Sequence, residues 1–390
     1  MLNHTVIIVH LSRPWAIFHR RHMLIALARA LPDGVTMLCV DRPITLDVTW
    51  WRHPSRFFRS VWRSSCRAEA PNLHVADVRT LLHDLTLFRI PWISRLNAMT
   101  LSPQLRRIVR GLAPQNPRVI QWIYRPEQSW VRHAVPEGKL VYECYDEHSC
   151  TPDGKPLQGA WKSETELLQT ADLTFVTTTS LLERRRGLAR AMRLLPNGIP
   201  DFFLEEPPLL TDPSDEIPRP RVGYVGVIRR PMNMAMLRAV FAERRDWHLV
   251  LVGPVHQDSG VIVLRDLPNV HLVGPRPFES LPAIMRKLDV GIIPHQINAF
   301  SRVFRPLKLC EYLGRGVPVA ATRLPELQGL ERFVSLSDET ASSFTSAIES
   351  ALERRGAQFE REAKEWAQDY TWGRIAERDV LPALNDIFGI

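Results

Sequence analysis

Short apolar runs alternate with longer amphipathic stretches along the first half of the chain. The runs predict buried strands at residues 5–10, 34–40, 72–78, 118–124, 139–145 and 171–178. Between the first two runs, residues 18–31 carry apolar side chains at helical spacing and end at the turn signal Pro32-Asp33-Gly34. Strands that alternate with helices in this way predict a doubly wound α/β domain with a parallel sheet.

The same alternation begins again after a stretch rich in proline and acidic residues, 196–221. Its apolar runs predict further strands at residues 221–227, 247–253, 269–274, 289–295, 317–322 and 332–337. A helical tail with a break near Gly356 follows the last of these runs. Because proline-rich polar segments often join domains, we expect two domains, residues 1–200 and 201–369. A chain of 390 residues with 45% apolar side chains can give each domain its own core.

Composition and charge narrow the class of protein further. The sequence has no run of about 18 apolar residues that could span a bilayer, and its start lacks the basic region and cleavage site of a signal peptide. The five cysteines are scattered, without a C-x-x-C pair, as is typical of free thiols in a reducing compartment. We therefore expect a cytoplasmic protein. A net charge of +8 is compatible with phosphate ligands, anionic lipid or nucleic acid.

Residues 304–322 combine a short helix with a buried strand. Pro306 suits the start of the helix and Gly316 suits the left-handed turn that ends it. Lys308 and Glu311 are three residues apart and therefore lie on one face. A helix N-terminus with a lysine favours a diphosphate, and Glu311 can accept hydrogen bonds from ribose hydroxyls. Alternatively, the pair is an ordinary surface ion pair, worth a few tenths of a kcal/mol.

Four segments of the chain resemble the C-terminal half of GT-B glycosyltransferases: residues 194–203, 221–237, 267–295 and 306–327. The resemblance is strongest to the bacterial exopolysaccharide type that includes the xanthan glucuronosyltransferase. It implies two Rossmann-like domains that face a cleft, with the nucleotide sugar on the C-terminal domain and the acceptor on the N-terminal domain. It also implies that the last helix, within residues 370–390, crosses back to pack on the N-terminal domain.

The donor diphosphate needs positive charge beside a backbone without bulk. Gly226 ends a predicted strand and Arg229 and Arg230 follow it, at the edge of the sheet where α/β proteins bind ligands. The arginines can equally be solvated loop charges, and Phe278, expected near the nucleotide base, can equally be a core residue. The expected donor site, for a UDP or GDP sugar, consists of Gly226, Arg229, Arg230, Arg276, Pro277, Phe278, Leu307, Lys308 and Glu311.

A cluster of proton-handling groups ends the predicted strand at 139–145. If the reaction inverts the anomeric carbon, a carboxylate with a raised pKa must deprotonate the acceptor, and Asp146 is the first candidate and Glu147 the second. An acidic helix cap is the alternative. Inversion is expected because Val303 stands eight positions before Glu311, where many retaining members carry a glutamate. One neighbouring histidine is too few for a zinc site, so we expect no metal and no other cofactor.

The acceptor site is expected at the end of the first strand. His10 closes that strand, and the aromatic and basic residues of 12–22 follow it. Arg13, Arg20 or Arg21 can hold the phosphate of a charged acceptor there, and the expected acceptor-binding residues are His10, Arg13 and Arg21. Surface charge at a helix start is the alternative.

Residues 49–67 carry arginines at helical spacing with aromatic side chains between them. This pattern is typical of a helix in a membrane interface, and each basic side chain near an anionic surface contributes roughly 1 kcal/mol. An ordinary amphipathic helix or an RNA-binding segment are the alternatives, although no RNA-binding module accompanies it. The expected membrane residues are Arg56, Phe58, Arg59, Trp62 and Arg63.

The residues and the resemblance together predict a glycosyltransferase that moves a sugar from a nucleoside-diphosphate sugar to a hydroxyl acceptor. The acceptor is expected to be a lipid-linked or soluble saccharide in exopolysaccharide or cell-surface glycan assembly, at the inner face of a membrane, with no nucleic-acid partner. Two other functions remain open. One is an epimerase or phosphorylase of the same fold, and the other is a non-catalytic basic protein that binds RNA or lipid.

Overall fold

Two parallel β-sheets form the frame of the protein. The computed structural model describes residues 4–45, 64–82, 90–113, 116–207 and 211–390. Its strands are β1 Thr5–His10, β2 Val35–Val40, β3 Ile44–Thr45, β4 Ser65–Ala70, β5 Leu73–Asp77, β6 Arg79–Thr80, β7 Arg118–Ile123, β8 Lys139–Cys144, β9 Leu173–Val176, β10 Met192–Leu194, β11 Arg221–Val225, β12 His248–Val252, β13 Val270–Gly274, β14 Val290–Ile293, β15 Val319–Thr322 and β16 Val334–Ser337.

Helices cover the faces of both sheets. The α-helices are α1 Arg21–Ala30, α2 Pro91–Leu112, α3 Ala160–Thr170, α4 Thr179–Arg185, α5 Met234–Glu243, α6 Leu281–Met285, α7 Leu307–Gly314, α8 Ala341–Glu353, α9 Ala357–Gln368, α10 Trp372–Ile375 and α11 Leu381–Phe388. A π-helical turn, Ala376–Val380, joins the last two helices, and a 3-10 helix, Pro126–His133, follows β7.

The first sheet has eight strands in the order β10-β9-β8-β7-β1-β2-β5-β4. Its strands are parallel except β4, which pairs antiparallel with β5 at the edge. β1 is buried along its whole length because helices lie on both faces of the sheet, which gives one apolar cluster on each side. The chain order reverses at β1, which lies between β2 and β7. Such a reversal opens a crevice at the carboxyl ends of the strands.

The second sheet has six parallel strands in the order β13-β12-β11-β14-β15-β16. Its chain order reverses at β11, which lies between β12 and β14. Two further apolar clusters cover its faces. Each sheet therefore has its own core and its own crevice, as expected from the alternation of strands and helices.

The C-terminal helices return to the first sheet. Trp372, Ile375 and Leu384 pack in the same apolar cluster as Met23 and Leu24 of α1. The expected crossing of the last helix to the N-terminal domain is thus confirmed. The first sheet ends at 194 and the second begins at 221, and the boundary at residue 200 stays a prediction.

The sequence predicted neither of the two edge strands of the first sheet, β4 and β10. The helical pattern assigned to 49–67 does not extend to its end, because Arg67 lies in β4, an exposed polar strand held by its pairing with β5. The expected membrane residues, Arg56, Phe58, Arg59, Trp62 and Arg63, lie outside the described residues. Within the described part of the chain, no helix is both long and apolar enough to cross a bilayer.

Candidate active site

A cavity of about 500 Å³ opens where the carboxyl ends of the two sheets face each other. The loops after β1 and β8 supply one wall, and the loops after β11 and β14 with the start of α7 supply the other. Ligands of open α/β sheets bind at this end of the strands. The cavity therefore brings residues from both halves of the chain within reach of one ligand.

Lys308 enters the cavity from the first turn of α7. Its Nζ lies 4.9 Å from the centroid of the Tyr224 ring, and its side chain passes directly over Gly226. Gly226 has a φ of 142°, and a Cβ added there would lie 2.6 Å from Lys308 Cε. Only glycine leaves room for the lysine at this point. The lysine thus presents its charge beside the backbone that follows β11.

Leu307 and Glu311 flank this lysine on the same helix. Leu307 lines the cavity, whereas Glu311 does not. Glu311 is 7% exposed, its pKa is raised by burial against the opposing charge of Lys308, and its carboxylate has no hydrogen-bond partner among the described residues. Because Glu311 does not line the cavity, its contact with a ligand there stays a prediction.

The two arginines after β11 have different positions. Arg229 lines the cavity, and its charge acts on both Asp146 and His295. Arg230 does not line it and instead pairs with Asp153 of the first domain at 3.6 Å. The Arg230 side chain is 56% exposed and the Asp153 side chain is 19% exposed. Arg229 is therefore placed to meet a ligand, while Arg230 connects the two walls.

His295 follows β14 and was not singled out in the sequence. Burial lowers the pKa of this side chain to about 3, with smaller contributions from Lys308 and Arg229. The Pro231 carbonyl accepts a hydrogen bond from the ring, and Nδ1 has no partner among the described residues. The neutral ring therefore offers Nδ1 as a hydrogen-bond acceptor in a cavity that Lys308 and Arg229 also line.

Asp146 stands on the opposite wall, just after β8. Burial raises its pKa from 3.8 to about 7, against the opposing effects of the Glu147 backbone N–H and of Arg229. That N–H donates to Asp146 Oδ1 at 3.1 Å. A carboxylate with a pKa near neutrality can take a proton and release it again at physiological pH, as a general base must.

Glu147 has a different environment although it adjoins the same cavity. It is 2% exposed and forms ion pairs with Arg185 at 3.2 Å and Arg184 at 3.0 Å. Burial alone would raise its pKa, but Arg185 and the hydrogen bonds from Ser149 lower it overall. Arg185 also pairs with the buried Glu164 at 2.9 Å. Glu147 is thus committed to an ion-pair network, which makes it the weaker candidate for a base.

The expected acceptor residues are only partly brought to the cavity. Arg13 lines it. His10 is 4% exposed and does not line it, because it points into the sheet, where its ring hydrogen-bonds Gln121 at 3.3 Å and burial lowers its pKa to about 4. Arg21 does not line it either, since its guanidinium lies 5.5 Å from the Trp15 ring.

Arg20 also lines the cavity, although no local sequence pattern distinguishes it from Arg13 and Arg21. It is 1% exposed, and it donates from Nε to Glu143 at 2.6 Å and from Nη1 to Asn197 at 2.9 Å. Its Nη2 is buried without a partner. Arg125 and Tyr145 also line this wall. The partners that hold Arg20, Glu143 and Asn197, are more than 100 residues away along the chain, so a local sequence pattern could not predict its burial.

The segment expected at the nucleotide base lies outside the cavity. Arg276 donates to Asp212 at 2.7 Å and to the Val273 carbonyl at 2.9 Å. Pro277 begins a 3-10 turn, and the Phe278 ring stacks on His22 of the first domain with centroids 5.3 Å apart. Phe278 therefore packs between the two halves of the chain, and a role at the base stays a prediction.

Val303, eight residues before Glu311, has apolar surroundings. It is 3% exposed, packs in an apolar cluster of the first sheet, and its carbonyl accepts a hydrogen bond from Thr178 at 2.9 Å. No set of three or more metal-ligating side chains is found within the described ranges. Lys308 and Arg229 are the cationic side chains that the second domain contributes to the described lining of the cavity.

Comparison with known proteins agrees with this geometry. Residues 219–354 match the family model described as glycosyl transferases group 1. This part of the chain is therefore similar to group 1 glycosyl transferases. The matched residues include Gly226, Arg229 and His295 as well as α7, so one wall of the cavity lies within them.

A curated relative and two solved structures extend the comparison. TuaH of Bacillus subtilis strain 168, provisionally named a teichuronic acid biosynthesis glycosyltransferase, is 28% identical over 148 residues, and this chain spans 37% of its length. Sucrose-phosphate synthase from Thermosynechococcus elongatus has a TM-score of 0.71 at 17% identity, over 99% of both chains. A protein from Listeria monocytogenes that is provisionally named a UDP-N-acetylglucosamine 2-epimerase has a TM-score of 0.58 at 16% identity, over 99% of this chain and 97% of that one. The two solved structures confirm the GT-B fold.

Proposed function

We propose that the protein transfers a sugar from a nucleoside-diphosphate sugar to a hydroxyl group of a saccharide acceptor. The observation that carries this proposal is the convergence of Lys308, Gly226 and Arg229 on one wall of a cavity whose other wall presents Asp146. Cations on one side suit a departing diphosphate, and a carboxylate of near-neutral pKa on the other suits deprotonation of an acceptor. The similarity of residues 219–354 to group 1 glycosyl transferases supports the same reaction.

The proposed reaction inverts the anomeric carbon. Asp146 takes the proton of the acceptor hydroxyl, the acceptor oxygen attacks the anomeric carbon, and the bond from that carbon to the phosphate oxygen breaks. The diphosphate leaves with the bonding electrons, and Lys308 and Arg229 stabilise the charge that develops on it. The apolar packing of Val303 supports inversion, because it leaves no carboxylate at the position that many retaining enzymes use.

Residues 1–200 with 370–390 would form the acceptor domain, and residues 201–369 the donor domain. Lys308 holds the diphosphate and Glu311 the ribose of a UDP or GDP sugar, and Arg13 meets the acceptor. The reaction needs no metal or other cofactor, since lysine and arginine neutralise the leaving group.

The proposed setting is the assembly of an exopolysaccharide or other cell-surface glycan at the cytoplasmic face of a membrane. The relationship to TuaH supports a cell-surface polymer. Attachment through Arg56, Arg59 and Arg63 rests on sequence alone. Replacing these three arginines by glutamate should reduce sedimentation with anionic vesicles, and unchanged sedimentation of the folded variant would remove them from the attachment site.

Calorimetric titration with UDP and GDP tests the donor site. Lys308→Ala should weaken binding of the preferred nucleotide roughly tenfold or more, because a hydrogen bond to a charged group is worth about 1.5–3 kcal/mol. Lys364→Ala is the matched control, since Lys364 pairs with Glu360 on α9 and does not line the cavity. Equal affinity of wild type and Lys308→Ala would exclude this lysine from the site.

An epimerase is the second candidate because one of the solved structures with this fold is named as such. It would convert a nucleotide sugar without a second saccharide. Release of free nucleoside diphosphate only when an acceptor is present would support transfer, whereas isomerisation of the donor sugar without an acceptor would support the epimerase.

A further inference from the structure

The helix α2 has an unusual distribution of charge. Its 22 residues include four arginines and no aspartate or glutamate. One side of α2 is anchored in the first domain, where Leu101 and Leu105 are fully buried. The opposite side is positively charged and faces solvent.

Two large apolar side chains stand on this exposed side. Trp92 is 64% exposed and Met99 is 72% exposed. Trp92, Arg95, Met99 and Arg106 are spaced by three, four and seven residues, which places them along one stripe of a helix. Aromatic and basic side chains that alternate on one stripe are typical of a surface that enters a lipid headgroup layer.

The neighbouring elements extend the positive charge. A groove of about 740 Å³ runs beside α2, where Arg132 of the 3-10 helix and Lys162 of α3 join Arg95 in its lining. These three side chains form no ion pair with any described residue. Glu166 is the carboxylate in the groove lining. Three unpaired cations against one carboxylate leave the groove positive and therefore complementary to an anionic surface.

This face continues to the mouth of the active cavity. Gly159 lines the groove, while Leu157, two residues earlier, lines the active cavity and is 44% exposed. Trp161, two residues later, is 40% exposed. Ile17, on another loop of the cavity lining, is 66% exposed. Exposed apolar side chains thus lead from the groove to the edge of the cavity.

We infer that the face formed by Trp92, Arg95, Met99, Arg132 and Lys162, here called the α2 face, docks on an anionic bilayer surface. Trp92 and Met99 enter the headgroup layer, and the three basic side chains contact the lipid phosphates. The inference extends the proposed function, since it places the cavity mouth at Leu157 next to the surface from which a lipid-linked acceptor would come. It concerns a surface separate from residues 46–63.

Sedimentation with vesicles tests the α2 face. The wild type should pellet with vesicles of phosphatidylglycerol and phosphatidylcholine, less with phosphatidylcholine alone, and less as salt rises. Arg95→Glu with Arg132→Glu should lower the partition coefficient roughly tenfold or more, and Trp92→Ser with Met99→Ser should also lower it.

The matched control lies on the second domain. Ile262 is 62% exposed and Arg265 is also exposed, so Ile262→Ser with Arg265→Glu removes the same kinds of side chain from another surface. This control should pellet as the wild type does. Circular dichroism and calorimetric titration with the preferred nucleotide should show that every variant is folded and keeps its donor site.

Several results would overturn the inference. The wild type could fail to pellet with anionic vesicles, or the α2-face variants could pellet as the wild type does. The control variant could also lose as much vesicle binding as the α2-face variants. Binding of single-stranded RNA in place of vesicles, lost in the same variants, would also overturn it. The proposed function is judged separately, because nucleotide binding without vesicle binding contradicts only the docking, and vesicle binding without nucleotide binding contradicts only the donor site.

Discussion

Replacing Asp146 by asparagine should lower turnover and raise the stability of the fold. The pKa of its carboxyl is raised from 3.8 to about 7, mainly by burial. Below about pH 4 the group is protonated in both the folded and the unfolded chain. As the pH rises from about 4 to about 7, the unfolded chain releases this proton and the folded chain keeps it, so the wild type loses stability. Above pH 7 the loss is complete.

The size of this loss follows from the shift. A difference of about three pH units corresponds to about 4 kcal/mol at about 1.4 kcal/mol per unit. Asp146 is partly exposed to the cavity, and solvent screening reduces the figure to about 2 kcal/mol. Asp146→Asn removes the titrating group and keeps its size. It should therefore be more stable than the wild type, by about 1 kcal/mol more at pH 8 than at pH 5.

Urea unfolding of the wild type and of Asp146→Asn at pH 5 and pH 8 measures the difference in their free energies of unfolding. Initial rates of sugar transfer measure the loss of activity in the variant. Turnover by Asp146→Asn should collapse while nucleotide affinity stays nearly unchanged. Asp153→Asn is the control, because a hydrogen bond from Thr151 and the charge of Arg230 lower the pKa of Asp153. Asp153 is therefore ionised in the folded and the unfolded chain at both pH values, and the stability change of this variant should be nearly the same at pH 5 and pH 8. An equal gain from Asp146→Asn at both pH values would refute the raised pKa, and full turnover would refute the base.

Three further predictions concern the same cavity. Gly226→Ala should weaken nucleotide binding in a calorimetric titration, because the new methyl group would displace Lys308; unchanged affinity would contradict this contact. Glu147→Gln should lower the free energy of unfolding by about 3 kcal/mol, measured in urea, because it leaves Arg185 buried with one ion pair fewer; a stable variant without turnover would instead favour Glu147 as the base. NMR of the anomeric proton of the first product should show inverted configuration, and a retained configuration would exclude the scheme in which Asp146 is the base.

Much of the fold could be predicted because its strands are local apolar runs. β1 and β14 are buried along their whole length, and their sequences show it. β4 was missed because its residues are polar and mostly exposed, so that its conformation comes from pairing with β5 and not from its own composition. A periodic pattern of arginines predicted a helix as far as Arg67, and edge pairing decided otherwise.

The sequence predicted those site residues whose position depends on a single helix or strand. Lys308 and Gly226 were expected because each ends or begins an element at the ligand-binding edge of its sheet. The different roles of Asp146 and Glu147 could not be predicted, because Arg185 stands 38 residues from Glu147 and the sequence does not show that the two meet. Burial by distant partners is a property of the folded chain.

A structure determined with the preferred nucleoside diphosphate bound would show directly whether the diphosphate lies at Lys308, Gly226 and Arg229. The account predicts that the phosphate oxygens lie about 3 Å from Lys308 Nζ, beside Gly226, with Arg229 within reach of the same group. A diphosphate bound in the groove beside α2, or at Arg276 without contact to Lys308, would contradict the account.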